Sequence, residues 1–202
     1  MRNRQPTLKA LGLVFMAVCI VAAFATITLA AEFTADIVQK GTMGTMTGKI
    51  YVKGKNVRRE MTIMGQKQIT ITRADKRVTW ILMPQQMTYM EMKWNTKQTQ
   101  ASENLDELEK RGKKKYLGKE KISGYSCSKY VYTPNDPSQP PVTVWVSKKL
   151  NYPLKMKVAG PQGHMTILYK NIKQKKLSDS LFRVPKNYEK ISMPVMPPMG
   201  NQ

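Results

Sequence analysis

Histidine is nearly absent from this 202-residue sequence: His164 stands alone, with two cysteines, Cys19 and Cys127, and 13 acidic residues. So little imidazole leaves little room for a Ser-His-Asp triad or a multi-histidine zinc site. The acids are outnumbered by 34 Lys and Arg, for a net charge of +21. Asp106, Glu107 and Glu109 lie within four residues of one another and read as the solvated face of a helix, not as an acid–base pair. No glycine-rich loop has the spacing that cradles phosphate. These shortages predict a protein that is not an enzyme and needs neither metal nor cofactor. With 41% hydrophobic residues, a single packed domain is feasible at this length.

What is present begins with a targeting pattern. Arg2, Arg4 and Lys9 precede an uncharged run from Ala10 to Ala31 that ends in Thr28-Leu29-Ala30-Ala31. Small residues at such an exit suit a signal peptidase, so residues 1–30 are expected to be removed on export across the membrane. The alternative is an uncleaved inner-membrane anchor facing the periplasm, since the run is long enough to span a bilayer. Cys19 leaves with the leader. Cys127 then has no disulfide partner and reads as a small buried strand residue.

From Phe33 onward the apolar period is two. Tyr152, Leu154, Met156 and Val158 alternate with Lys155 and Lys157; Val57, Met61 and Ile63 alternate with Arg58, Glu60 and Thr62, broken only at Arg59. Such alternation predicts strands with one dry and one wet face. Short links, among them Met64-Gly65-Gln66, imply antiparallel neighbours and a six-strand meander over residues 33–92. Five further candidates follow: 115–121, 125–133, 142–147, 152–158 and 164–172. Between the two groups, Ser102 to Gly112 has a capping Ser, acids first, cations last and a terminal Gly, the signature of one short helix. Its only apolar residues able to be buried are Leu105 and Leu108. Residues 191–202, rich in Met and Pro, are expected to form a flexible tail after a domain spanning 31–190.

The predicted fold class is mainly β: a curved antiparallel sheet forming a half-open β-barrel, with the short helix as plug or lid. Curvature would enclose a cavity sized for a lipid-like ligand. From the first half of the chain it is expected to be lined by Ile50, Val52, Met61, Ile63, Ile69 and Ile71, then by Trp80, Leu82 and Tyr89. Leu154, Met156 and Ile167 complete it from the second half. The parity of each strand carries this assignment, because a one-residue slip turns a strand inside out.

Several segments resemble the bacterial LolA/LolB-like superfamily, that of a periplasmic lipoprotein carrier and its outer-membrane receptor, and most nearly an uncharacterised family of exported proteins within it. They are Phe33-Thr34-Ala35-Asp36, Thr47 to Val52, Trp80 to Pro84 with Tyr89, Gly124 to Tyr130, and Ser180 to Tyr188. The resemblance implies a half-open barrel around a hydrophobic cavity that takes up acyl chains, with a periplasmic address and a place in lipid or lipoprotein trafficking.

Cations cluster at Lys53 to Arg59, at Lys113, Lys114 and Lys115, and at Lys173 to Lys176. Export argues against nucleic acid and for an anionic membrane surface as partner. Lys113, Lys114 and Lys115, directly after the candidate lid helix, are expected to contact anionic head groups. The sequence therefore predicts a monomeric periplasmic binder of a lipid or lipidated protein. Two alternatives stand beside it: an envelope interaction protein with a filled core, and a copper-binding protein using the methionines of the tail.

Overall fold

A computed structural model of the chain describes residues 31–42, 44–94, 105–160 and 163–192. The leader and the Met/Pro tail beyond Ser192 lie outside the described residues, as does Ser102. The first meander runs β1 (Glu32–Gly41), β2 (Gly44–Lys53), β3 (Asn56–Ile63), β4 (Gln66–Arg73), β5 (Val78–Met83) and β6 (Thr88–Lys93). After α1 (Leu105–Arg111) the second runs β7 (Gly112–Ile122), β8 (Tyr125–Pro134), β9 (Val142–Ser147), β10 (Tyr152–Gly160) and β11 (Gly163–Gln174). A 3-10 turn over Asp179–Phe182 and the two-residue β12 (Glu189–Lys190) end the described chain.

Among the described residues all strands join one sheet, in the order β12-β6-β5-β4-β3-β2-β1-β11-β10-β9-β8-β7. Every pairing is antiparallel except β12 with β6. The two meanders thus meet where β11 returns to β1, and the curved sheet stays open, with β7 at one edge and β6 with β12 at the other. Tight turns set the register. Met64 and Gly65 both have positive φ (50° and 77°), as do Ser123 and Gly124 (49° and 87°). That is the two-residue turn whose twist matches the flanking strands.

Directly paired residues of neighbouring strands share a face of the sheet. Phe33, Ala35 and Ile37 on β1 thereby share an inner face with Ile50 and Val52 on β2. On the far side of the β1–β11 seam, Tyr169, Met156, Val144 and Tyr132 continue it. All of these are buried. Helix α1 covers the inner face over β8 to β10: its Leu105 and Leu108 pack against Tyr132, Val142, Val144 and Met156. This is the plug expected of the short helix.

The outer face is dry as well over β4 to β6, which the sequence pattern did not indicate. Ile71 pairs with Trp80, Ile69 with Leu82, and Leu82 with Tyr89. On β3 the partners of Ile71 and Ile69 are Arg58 and Glu60, whereas Met61 faces Gln68. Ile69, Ile71 and Leu82 are buried beneath Leu177 and Phe182, with Leu181, Val184 and Tyr188 around them.

The covering segment is a strap from Leu177 to Lys190, fixed by cations of the outer face. Lys53 Nζ donates to the Leu177 carbonyl, Arg58 Nη1 to that of Leu181 and Arg73 Nη1 to that of Phe182, each at 3.0 Å. The Leu177 amide donates to Glu32 Oε1 at 2.7 Å. At the far end, the amides of Glu189 and Ile191 donate to the carbonyls of Met87 and Tyr89 at 2.8 and 2.9 Å. Hydrogen bonds from charged donors are the stronger kind, so the strap is held both by apolar burial and by three charge-assisted contacts.

Truncating Phe182, 2% exposed, is expected to cost about 3–5 kcal/mol, measured as the loss of unfolding free energy of Phe182→Ala in urea. Acid should loosen the same strap. The Lys53 hydrogen bond holds the Asp179 carboxyl below its usual range, and hydrogen bonds from Lys190 and then Trp80 do so for Glu91. A carboxyl depressed in the folded state contributes stability that is present above its unfolded pKa and lost as pH falls through the folded one. The thermal midpoint should therefore fall as pH drops below about 4, and less steeply in the Asp179→Asn, Glu91→Gln double variant.

Candidate functional site

Two hollows lie on the inner face, away from α1. The first, about 160 Å³, is lined by Ile37 and Gln39 of β1, Arg59, Met61 and Ile63 of β3, Gln68 and Thr70 of β4, and Ile167 of β11. No side chain of β2 enters, because the residue between Ile37 and Met61 is Gly48. A Cβ built on Gly48 would run into the Glu60 carbonyl oxygen, so the close β2–β3 approach requires glycine and leaves a notch in the floor.

The second hollow, about 500 Å³, opens between the tips of the β1–β2 and β10–β11 hairpins and the loop after β8. Its lining includes Gln39, Met46, Val158, His164 and Met165, with Pro140 and Ser138 from the loop. Gln39 belongs to both hollows, and its Nε2 donates to Met165 Sδ at 3.6 Å. The two hollows adjoin at Gln39, and side by side they make up the groove along β1 and β11. The smaller hollow falls below the several hundred Å³ typical of ligand pockets, and the larger falls within that range.

The charge distribution of this groove is unusual for so basic a chain. Among the described residues Arg59 is the one charged residue lining the first hollow, and none lines the second. The neighbouring acid, Glu60, points to the outer face. There burial pushes its carboxyl up, but hydrogen bonds from Lys67 and Arg58 outweigh this and hold it below the usual range. Its oxygens lie 2.9 Å from Lys67 Nζ and 2.7 Å from Arg58 Nη2.

The expected cavity residues divide between the two faces. Met61, Ile63 and Ile167 line the groove, Ile63 at its exposed rim (37%). Ile50, Val52, Leu154 and Met156 are fully buried in the core around it. Ile69, Ile71, Trp80, Leu82 and Tyr89 are brought together on the outer face beneath the strap, not with the other seven. Sequence reasoning did not name Ile37, Gln39, Arg59, Met46 or Met165 as lining residues. The available signal was Arg59 itself, which interrupts the alternation of its strand.

The three lysines are not one group either. Along β7, Lys114 pairs with Tyr132 on the inner face, while Lys113 and Lys115 alternate to the outer face. Lys114 donates to Glu109 Oε1 at 2.6 Å and lies 4.4 Å from the Tyr130 ring centre. The Glu109 hydrogen bond raises its pKa, so the ammonium stays charged and engaged with α1. Lysines on an edge strand also discourage edge-to-edge pairing. Cys127 is buried, and burial pushes its thiol up.

The family model for a domain of unknown function, DUF4412, matches residues 33–152. No curated protein matches significantly. Among solved structures, an uncharacterised conserved protein from Thermus thermophilus superposes with a TM-score of 0.58 at 12% identity, over 81% of this chain and 91% of that one. The MucA/MucB complex of Pseudomonas aeruginosa superposes with a TM-score of 0.54 at 14% identity, over 84% of this chain. There this chain spans 62% of the matched protein's length. A LolA superfamily protein from Nitrosomonas europaea matches at a TM-score of 0.41 and 13% identity, over 76% of this chain and 90% of that one. At these identities the likeness is one of fold, and function has to be argued from the site.

The notch at Gly48 makes a direct test of the groove floor possible. Gly48→Ala is expected to push β2 from β3 and cost about 1–3 kcal/mol, read from the shift of the urea unfolding midpoint.

Proposed function

We propose, for a chain that belongs to the DUF4412 family, that it is an exported, non-enzymatic protein that holds the acyl part of a lipid or lipidated protein in the inner-face groove. The observation that carries this reading is the groove's lining: among the described residues, apolar and neutral side chains over two adjoining hollows, with one charge, in a chain of net charge +21. Sites for apolar ligands have this composition, mostly hydrophobic with a few placed polar groups. Met46, Met61 and Met165 contribute flexible thioethers that adapt to chains of differing shape.

Residues 1–30 act in this reading as a cleaved signal peptide, because cations precede an uncharged run ending in small residues. The working compartment is the periplasm, and the chain acts as a monomer. Residues 31–190 form the binding domain and 191–202 a tail. Surface cations hold the protein near anionic membrane while the groove fills or empties, each adding about 1 kcal/mol near the surface. Lys113 and Lys115 serve this on the outer face of β7, whereas Lys114 is tied to α1. Ile50, Val52, Leu154 and Met156 form the wall behind the ligand. Ile69, Ile71, Trp80, Leu82 and Tyr89 serve the strap.

Native mass spectrometry of protein purified from the periplasm should find a mature chain starting near Ala31 with lipid-sized adducts. A fluorescent fatty-acid probe should bind, and Met61→Asp should weaken it at least tenfold, since an uncompensated carboxylate would face the acyl chain. A protein that carries no adduct and binds no probe would be an interaction protein with a filled core instead.

A further inference from the structure

We propose that the protein docks on anionic bilayers through the outer face of β7 to β10, a single lysine patch that leaves the groove turned away from the head groups. This rests on the reading above that surface cations meet anionic membrane, and adds to it the face that does so and the orientation that follows.

Register assembles the patch from residues that no run of the sequence groups. Lys115 on β7 pairs with Val131 on β8, Val131 with Thr143 on β9, and Thr143 with Lys157 on β10. In the row on one side, Lys129 pairs with Trp145 and Trp145 with Lys155, and in the row on the other, Lys113 pairs with Thr133. Tyr132, Val144 and Met156 alternate with these residues along their strands and pack against α1, so all five lysines stand on the outer face. Three strand spacings of about 4.8 Å bring them into a patch about 14 Å wide.

The charge of the patch is one-sided. Glu120 is the one acid of the four described strands, and it is already engaged: Trp145 Nε1 donates to its Oε2 at 2.6 Å, and Lys129 and Lys155 lie 3.6 and 3.8 Å from its carboxylate oxygens. The same two lysines lie over the Trp145 ring, 4.9 and 4.3 Å from its centre, and their stems help to bury it. Lys113, Lys115 and Lys157 are exposed beside them and supply the outward charge. None of these residues lines either hollow. Lysines spread over four strands suit a plane of phosphate-bearing head groups, whereas one bound peptide needs pockets for its side chains. Since α1 and the groove occupy the opposite face of the sheet, a bilayer on the patch leaves the groove clear of head groups, and docking does not compete with ligand.

The test uses the full mature protein and sedimented vesicles of phosphatidylcholine, with or without about a third phosphatidylglycerol, in about 0.1 M salt, where the Debye length is about 10 Å. Binding is expected to need phosphatidylglycerol and to fade as salt rises. The triple variant Lys113→Gln, Lys115→Gln, Lys157→Gln should bind at least tenfold more weakly. The equally charged Lys76→Gln, Lys93→Gln, Lys186→Gln control, exposed on the β4–β6 side of the molecule, should lose less than about threefold, since distant cations are screened. Orientation is read with a fluorophore on Thr133→Cys in the patch or on Met64→Cys at the β3–β4 turn, 95% exposed; Cys127 is buried and stays unlabelled. Anionic vesicles should shield the label at 133 from acrylamide and leave the one at 64 open. Failure to bind anionic vesicles, equal losses in the two triple variants, shielding at 64 instead of 133, or binding to soluble poly-glutamate without binding to vesicles would each overturn the docking surface. The fluorescent fatty-acid probe, measured on the same protein, decides the acyl-binding reading separately: its affinity should be the same in both triple variants, with or without vesicles. Native protein that binds vesicles and no probe would overturn that reading and leave the docking surface standing.

Discussion

Every apolar strand face must be covered, and in this protein that requirement falls on both sides of a single sheet. A twelve-stranded open sheet cannot satisfy it by stacking on a second sheet, because among the described residues there is none. Curvature turns the inner faces of β1, β2 and β8 to β11 toward one another, and α1 fills part of the space between. The outer face of β4 to β6 receives the strap. Since α1 is a short helix that buries only parts of Leu105 and Leu108, the inner face is left incompletely filled over β1, β3 and β11, and that remainder is the groove. Among the described residues the site thus follows from how little of the inner face α1 covers.

The strap in turn accounts for much of the charge on β2 to β4. Lys53, Arg58 and Arg73 alternate with the apolar residues that face inward or lie between strands, and all three end at backbone carbonyls of the strap. Such carbonyls sit in a segment with little regular pairing and would otherwise compete for water. A cationic run that reads in sequence as a membrane patch is therefore partly internal fastening. What remains for an external partner is the set of cations without such duties, on β7 and in the stretch after β11.

The period-two pattern made the strands legible, and the Ser102–Gly112 signature made α1 legible to within a few residues of its observed Leu105–Arg111. The relation between strands was not. Taking the link after β3 as Met64-Gly65-Gln66 pairs Ile63 with Lys67 and places Met61 opposite Ile69. The observed turn has two residues, so Ile63 pairs with Gln66 and Met61 with Gln68. One residue of loop length thereby moved Ile69 and Ile71, and with them Trp80, Leu82 and Tyr89, to the other side of the sheet. The pairing of Met64 and Gly65, both at positive φ, was the physical clue. Thr70 and Thr72 facing inward, with isoleucines facing out, could not supply it, because a threonine fits either face of a strand.

Arg59 is the complementary case, where the pattern failed for a reason located in one residue. An alternation that holds at positions 57, 58, 60, 61, 62 and 63 fixes the face of position 59 independently of its chemistry. Chemistry and face then disagree, and sequences in which most local choices agree with the fold concentrate such disagreements at functional positions. The same sheet shows what a structural arginine looks like, since Arg58 and Arg73 stand on the outer face and close on fixed carbonyls and carboxylates. Arg59 differs from both in the face it takes: with Ile50 and Thr70 as register partners it lies on the inner face, so parity places a strand residue even where its chemistry disagrees.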